Sequence, residues 1–538
     1  MNCINSLTRC LRLCVCFFLF ATAASTSFSQ DVLTFHNNNA RTGLNSHETI
    51  LTPSNVNYTT FGKLFTLAVD GPVNAQPLYL SAVPINGVTH NVLIVATEND
   101  SVYAFDADSG TQLWRVSTLR HGETPSDDRN CDLLSPQIGI TATPAIARPP
   151  GTNGVIYVVP MSKDSSGNYY QRLHALDAAS GAELYKGPVT ISAKYPGTGD
   201  GSSGGYVLFD AAQYAERAAL LLTDGILYLT WTSHCDIRPY TGWIMGYNPL
   251  NLAQQSVLNL TPNGHQGAIW QAGSGPASDG LGNIFLLDAN GIFDSSMNSS
   301  GFPDQGDYGN AFLCLNNKGG LSVYDYFEMY NGQTESDDDV DLGSGGVILI
   351  PDQQDANGKT WQLAAGAGKD GNIYLVDRTN MGKFNPNGNK IHQVISGALG
   401  GGIFSTPAFF DKRLYYGPIN QPILSFQFKN AKLKSNPVAQ TANKFKYPGA
   451  TPSISANEAQ DAIVWAADNT DPAVLYAYEA ASLTELYDSN QAPQGRDHFG
   501  AGNKFIAPLI INGKVYVGTT TGVGVFGLLS PKSDPQRN

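Results

Sequence analysis

Apolar positions along the chain fall in short runs rich in β-branched and aromatic residues, punctuated by Gly, Asn, Asp and Pro, with no sustained helical period. One pattern recurs: an opening strand, a β-branched and aromatic strand, a turn, then a strand carrying an aromatic or apolar pair before Asp or Asn. The clearest copies are SVYAFDADSGTQLWRVS (101–117), QRLHALDAASGAELYKG (171–187), GNIYLVDRTNMG (371–382) and AVLYAYEAASLTELYDS (473–489). Divergent copies are GWIMGYNPLNL (242–252), NAFLCLNNKGGLSVYDYF (310–327), PILSFQF (422–428) and VGVFGLL (523–529), which makes eight units.

Opening strands counted separately are also eight: AQPLYL (75–80), TATPAI (141–146), RAALLL (217–222), GSGPAS (273–278), GGVILI (345–350), FSTPAF (404–409), GATPSI (449–454) and FIAPLI (505–510). Six carry Pro77, Pro144, Pro276, Pro407, Pro452 or Pro508, where a strand is only beginning and a missing N–H is tolerated. Such repetition predicts an all-β fold, an eight-bladed β-propeller of four-stranded blades, an architecture that protects sheet edges. The last unit lacks a fourth strand and KLFTLAV (63–69) lacks a unit, so the N-terminal strand is expected to complete the last blade. The predicted organisation is a signal peptide over 1–29, a strap over 30–60, one propeller over 61–529 and a polar tail over 530–538.

Composition narrows the functional classes. Only 14% of the 538 residues are charged, against about 25% in an average globular protein, which argues against disorder and coiled coil. The net charge is −13 and no basic stripe is present, so nucleic acid is not an expected partner. Residues Met1 to Ser29 read as a secretory signal: Arg9 and Arg12, an apolar run from Leu13 to Phe20 too short to span a bilayer, then small residues. A secreted or periplasmic protein without a membrane span is expected. Cys3, Cys10, Cys14 and Cys16 leave with that segment. Of the three that stay, Cys314 sits in a strand-like apolar run, whereas Cys131 and Cys235 lie in polar loops and form the natural disulfide pair. No C-x-x-C-H haem motif occurs.

The stretches AFDADSGTQLW and HALDAASGAEL, with FHNNNARTGLN, LTPSNV and FGKLF near the start, resemble the PQQ-type repeats and opening strap of the quinoprotein alcohol dehydrogenase superfamily. The resemblance covers nearly all of the chain after the signal segment. It implies a pocket at the propeller axis holding PQQ between a tryptophan and a vicinal disulfide, with Ca²⁺ on hard oxygen ligands and a carboxylate taking the alcohol proton. Residue by residue, WTSHCDI puts Ser233 and Asp236 at the family's Ser and Ca²⁺-Glu positions, GAIW puts Trp270 beneath the quinone, and LLDANG puts Asn290 on Ca²⁺. DDDVD places Asp338 at the base and metal position, with Asp341 three residues on, and GKDGN places Lys369 at the quinone oxygens.

Two departures qualify the likeness. The vicinal cysteines are reduced to Cys131, and the arginine expected soon after it, which would neutralise PQQ carboxylates, is replaced in SPQIG, where Gln137 is the nearest long side chain. With Cys235 beside the Ca²⁺-Glu position, both cysteines would point at the same pocket, and their bond would close the cavity rather than cover a quinone.

Each residue also has an ordinary reading: the acidic run 335–341 as a solvated loop, Trp270 as a packing ring, Asp236 as a turn cap, Asn290 and Lys369 as turn residues, and His234 as a hydrogen-bonded histidine. Two functions follow. One is a binding or scaffold propeller with a partly retained quinone pocket, engaging a small molecule or protein at its axis, as in the periplasmic propeller that helps assemble outer-membrane proteins. The other is a Ca²⁺- and PQQ-dependent dehydrogenase of alcohol or sugar hydroxyls, using an external electron acceptor.

Overall fold

Why the apolar runs are so nearly continuous is visible in the strand Asn283–Leu287: Ile284 and Leu286 enter one apolar cluster, Phe285 and Leu287 the next. Side chains of a strand alternate between faces, so a sheet covered on both faces needs apolar residues at successive positions. The computed structural model describes residues 30–134 and 136–530. The expected signal segment with its four cysteines, and all but the first residue of the expected tail, lie outside them.

The described residues are almost all strand, turn and loop, with eight sheets of four or more strands. In chain order these begin at Leu78, Ala145, Leu221, Ala277, Ile348, Ala408, Ser453 and Leu509, which are the expected opening strands. Each of the six expected prolines stands immediately before the first residue of its strand. Within each sheet successive strands pair antiparallel, as in Leu78–Ile85, Val88–Ala96, Ser101–Asp106 and Gln112–Ser117 of the first. The eighth sheet takes its fourth strand from the other end of the chain: Phe61–Ala68 pairs with Gly522–Leu528, from Phe61 opposite Leu528 to Ala68 opposite Gly522. Apolar clusters join each sheet to its successor, and the cluster of the first sheet also holds Leu509 and Val525 of the eighth.

The segment before Phe61 crosses the opening strands in order. Val32 exchanges both backbone hydrogen bonds with Tyr79 of the first sheet, and the carbonyls of Leu33, Asn39, Ala40, Thr42 and Gly43 accept from Ile146, Ser278, Leu349, Phe409 and Ile454. The third sheet is met by Asn39 Nδ2 donating to the Leu222 carbonyl (2.8 Å), and the eighth by Asn45 Nδ2 donating to that of Ile510 (3.1 Å). At the centre of this strap Arg41 is fully buried. Its guanidinium donates to the carbonyls of Pro276 and Phe35 (both 2.9 Å) and to Thr34 Oγ1 (2.7 Å). Seventeen residues near the N-terminus thus touch all eight sheets, from Val32 to Glu48, which accepts from Gly513 N (2.9 Å).

The acidic run departs from the expected open loop. Gly332–Asp337 forms one turn of α-helix with Asp338 capping its C-terminal end, followed by the 3₁₀ turn Leu342–Ser344. Cys314 is a buried strand thiol, as expected.

Replacing Arg41 by Met removes donors from carbonyls that cannot reach water, each loss costing about 1–3 kcal/mol. Urea denaturation of Arg41→Met should therefore show a stability loss of roughly 3 kcal/mol or more; a change under about 1 kcal/mol would mean the strap is not integral to the fold.

Candidate functional site

A cavity of about 470 Å³ opens where residues preceding the first strands of the second to eighth sheets converge. These are Ile138, Arg217, Trp270, Asp341, Phe404, Tyr447 and Phe505; Ser233, Asp236, Asn290 and Lys369, which follow second strands, face the same space. Its size lies within the roughly 300–1,000 Å³ of small-molecule sites.

Aromatic rings form one side. Trp270 meets Phe404 (6.0 Å between centroids) and Phe505 (6.2 Å), and Tyr447 meets the same two rings (5.2 and 6.1 Å), every pair edge-to-face. This closed quartet presents edges and faces to the cavity in the geometry aromatic quadrupoles favour. Guanidinium Arg217 lies over the Phe505 ring at 5.1 Å.

The polar side is organised around Asp341, which is 1% exposed. Trp270 Nε1 donates to its Oδ2 (3.1 Å), and Lys369 Nζ lies 2.7 Å from its Oδ1 while also pairing with the exposed Asp339. Burial pushes the Asp341 carboxyl upward, opposed by the Lys369 charge, and the charge of Asp236 adds to the rise. Asn290 Nδ2 donates to Asp339 Oδ1 (2.7 Å), whereas its own Oδ1 is buried without a hydrogen-bond partner. Such an orphan amide oxygen costs free energy unless a donor or cation reaches it.

The mouth is shaped by two loops. One springs from Glu123–Asp127, which pairs with Met161–Asp164 and is fastened by the buried two-bond pair of Arg172 with Glu123 (2.9 and 2.7 Å). The other carries Ser233 to Asp236, where Cys235 and Asp236 hold φ of 48° and 55°, unfavourable for non-glycine residues and maintained only where surroundings dictate them. Tyr240 and Ser233 donate to Asp236 Oδ1. A Cys131–Cys235 disulfide joins the loops, with Cα atoms 5.5 Å apart. His234 is buried beside it and its imidazole is brought down to about 4, chiefly by desolvation, so it is neutral at pH 7. The lining then holds Asp132, Asp236, Asp339 and Asp341 against Arg217 and Lys369, an acidic surplus.

Of the residues singled out from sequence, Ser233, Asp236, Trp270, Asn290, Lys369, Cys131 and Cys235 all line this cavity. Asp338 does not: it is exposed at the helix end, because the helical turn swings it outward, and Asp341 is the buried carboxylate instead. The expected disulfide bridges two loops at the cavity wall, and both of its cysteines line the cavity. Gln137 donates to the Glu98 carbonyl (2.8 Å) and Asn99 Oδ1 (3.2 Å), not to the cavity. Among the described residues no three His, Cys, Asp or Glu side chains gather as a metal site.

Sequence reasoning missed Arg217, Phe404 and Phe505, although a signal existed. They are the first letters of the opening-strand motifs RAALLL, FSTPAF and FIAPLI, a position that is Gly at 273, 345 and 449. Large residues at that register reach the centre and glycines make room: a Cβ on Gly273 would come within 2.6 Å of Arg217 Nη1.

Comparison with known proteins agrees with this architecture. Residues 98–196 match the family model described as outer membrane protein assembly factor BamB. No curated protein matches the chain in sequence. Among solved structures, quinohemoprotein alcohol dehydrogenase from Comamonas testosteroni superposes with a TM-score of 0.60 at 16% identity, covering 94% of this chain and 81% of that one. Quinohemoprotein alcohol dehydrogenase ADHIIG from Pseudomonas putida HK5 gives 0.59 at 14%, covering 94% and 82%. A europium-containing methanol dehydrogenase gives 0.56 at 12%, covering 93% and 98%. The chain therefore shares the fold of these quinohemoprotein and methanol dehydrogenase structures.

Non-reducing mass spectrometry of a protease digest should return one peptide joining Cys131 to Cys235, with Cys314 as a free thiol. Closing so long a loop stabilises by about 2–4 kcal/mol, so Cys131→Ser with Cys235→Ser should lower the denaturation midpoint accordingly; free thiols at 131 and 235 in the native protein would contradict this.

Proposed function

We propose that this chain is an exported, secreted or periplasmic, eight-bladed propeller whose cavity binds a planar anionic small molecule of the PQQ kind together with a calcium ion. Eight sheets of four or more strands, the pairing of Phe61–Ala68 with Gly522–Leu528, and apolar clusters that run from sheet to sheet support the eight-bladed reading of 61–529 as one domain. Export is supported by the N-terminal apolar run and by the disulfide. One observation carries the binding reading: Ser233, Asp236, Trp270, Asn290 and Lys369, distant in sequence, line one cavity.

The residues present fit both groups. Asn290 Oδ1 is a buried oxygen without a partner, and the carboxylates of Asp341 and Asp236 sense one another, so a cation beside them would relieve both costs. Hard oxygens of this kind suit calcium. Asp236, Asn290 and Asp341 would hold the ion, Trp270 and its ring partners would lie against the planar ligand, and Lys369 would meet its oxygens. Since the lining carries an acidic surplus, an anion alone is repelled and calcium must accompany it.

Thermal unfolding with calcium and PQQ tests this, because a ligand of the native state stabilises by mass action, about 2.7 kcal/mol at a hundredfold excess over Kd. Both together should raise the midpoint by several degrees, PQQ without calcium much less, and Trp270→Ala should abolish the shift while the protein still folds. No shift with both at saturation would overturn the reading.

A second reading, dehydrogenation of an alcohol or sugar hydroxyl, is favoured by the Asp341 geometry. A buried carboxylate whose proton affinity is raised, oriented by Trp270 Nε1–H and Lys369, is suited to take a hydroxyl proton. Bound PQQ with calcium would supply the hydride acceptor and its polarisation, and an external acceptor would take the electrons onward. Dye-linked oxidation should fall by about 100-fold or more in Asp341→Asn and be little changed in Asp338→Asn; equal loss in both would remove Asp341 from the role.

A further inference from the structure

Among the described residues, Arg217 is the one cation of the cavity wall that makes no ion pair. Lys369 is held by two carboxylates. Arg217 is 4% exposed, its Nη2 has no hydrogen-bond partner, and among the described residues it forms no ion pair. The acids nearest in charge do not answer it. Glu98 spends its carboxylate on Gly139 N (2.7 Å), Thr141 Oγ1 (2.9 Å) and Asn74 Nδ2 (2.6 Å). Glu216 is buried with neither oxygen hydrogen-bonded and makes no ion pair with Arg217; desolvation pushes its carboxyl well up, opposed by the Arg217 charge. Arg217 itself, though brought down to about 10 by burial, keeps its charge at neutral pH.

A buried, unpaired guanidinium is a large cost, and breaking such a charge from its partner is among the most destabilising changes a protein suffers. Yet the fold makes space for this one: Gly273 faces it without a side chain and Phe505 supports its plane. It opens onto the cavity, where an anionic group of a ligand would meet it.

We propose that Arg217 is the carboxylate anchor of the cavity, pairing with an acidic group on a planar conjugated ligand lodged against the Trp270, Phe404, Tyr447 and Phe505 rings. It does from the third sheet what the family likeness expected of an arginine near position 137, where Gln137 is turned to the backbone. A guanidinium offers two parallel N–H donors to a carboxylate, so the anchor fixes the ligand's orientation in its own plane as well as its charge. The inference rests on the small-molecule reading of the cavity and names the specificity-determining residue within it.

Calorimetric titration of the full-length protein with PQQ in the presence of calcium, and with the PQQ trimethyl ester, tests the assignment. Arg217→Gln should weaken PQQ binding about 10- to 100-fold, the size of a charge-assisted pair, with Arg217→Lys intermediate. Wild type should bind the ester no better than Arg217→Gln does, since the ester lacks the anion. Circular dichroism and melting of both variants establish that they fold; Arg217→Lys keeps the charge should Arg217→Gln fail. Equal PQQ affinity in wild type and variants overturns the anchor and leaves the cavity reading standing. If wild type does not bind PQQ, the cofactor reading falls, and naphthalene-2,6-dicarboxylate decides the anchor alone: binding lost in Arg217→Gln upholds it, and no binding by wild type overturns it.

Discussion

The pairing of Phe61–Ala68 with Gly522–Leu528 is the interaction on which the rest of this molecule depends. Every sheet is apolar on both faces and so needs a neighbour on each side; a row of such sheets would leave its two outermost members with one face in water. Joining the start of the chain to the last sheet, and packing that sheet against the first, removes both exposed faces. The strap reinforces the same constraint from within: residues Val32 to Glu48 bond to each opening strand, so relative displacement of any sheet breaks hydrogen bonds that water cannot replace.

The cavity inherits its precision from that arrangement. Seven sheets contribute to its lining immediately before their first strands, so no single loop holds the site and no single loop could shape it. Against this frame the molecule tolerates costly features: two consecutive left-handed residues at Cys235 and Asp236, an orphan oxygen on Asn290, a guanidinium at Arg217 without an ion pair and a buried Glu216 carboxyl without a hydrogen bond. Cys235, Asp236, Asn290 and Arg217 all line one cavity, and costs gathered on one wall are the physical signature of a place kept for binding.

Charge would make the proposed cation and anion depend on each other. The acidic surplus around Asp341 and Asp236 repels an anion until a cation is present, while Arg217 at the aromatic side attracts one. The two sides of the cavity thus differ in charge, a polarity that supports the proposed metal-bound, planar acid.

Much of this was legible from residue order. The repeated units, the prolines before six of the opening strands and the completing N-terminal strand followed from alternation and turn chemistry, which act locally and leave their mark from repeat to repeat. So did the pairing of Cys131 with Cys235, since only those two cysteines of the later chain lay in polar loops. Residue roles that depend on direction were not legible: the acidic run contains several aspartates, and the short helix Gly332–Asp337 leaves Asp338 exposed at its end while Asp341 lines the cavity. Arg217 stood in plain view at a repeated position, but its meaning required knowing that this register faces a shared space, which no local pattern states. Local periodicity determines which residues form a sheet; where the sheets meet, the facing of each side chain is set by packing between segments far apart in the chain, and that is decided in three dimensions.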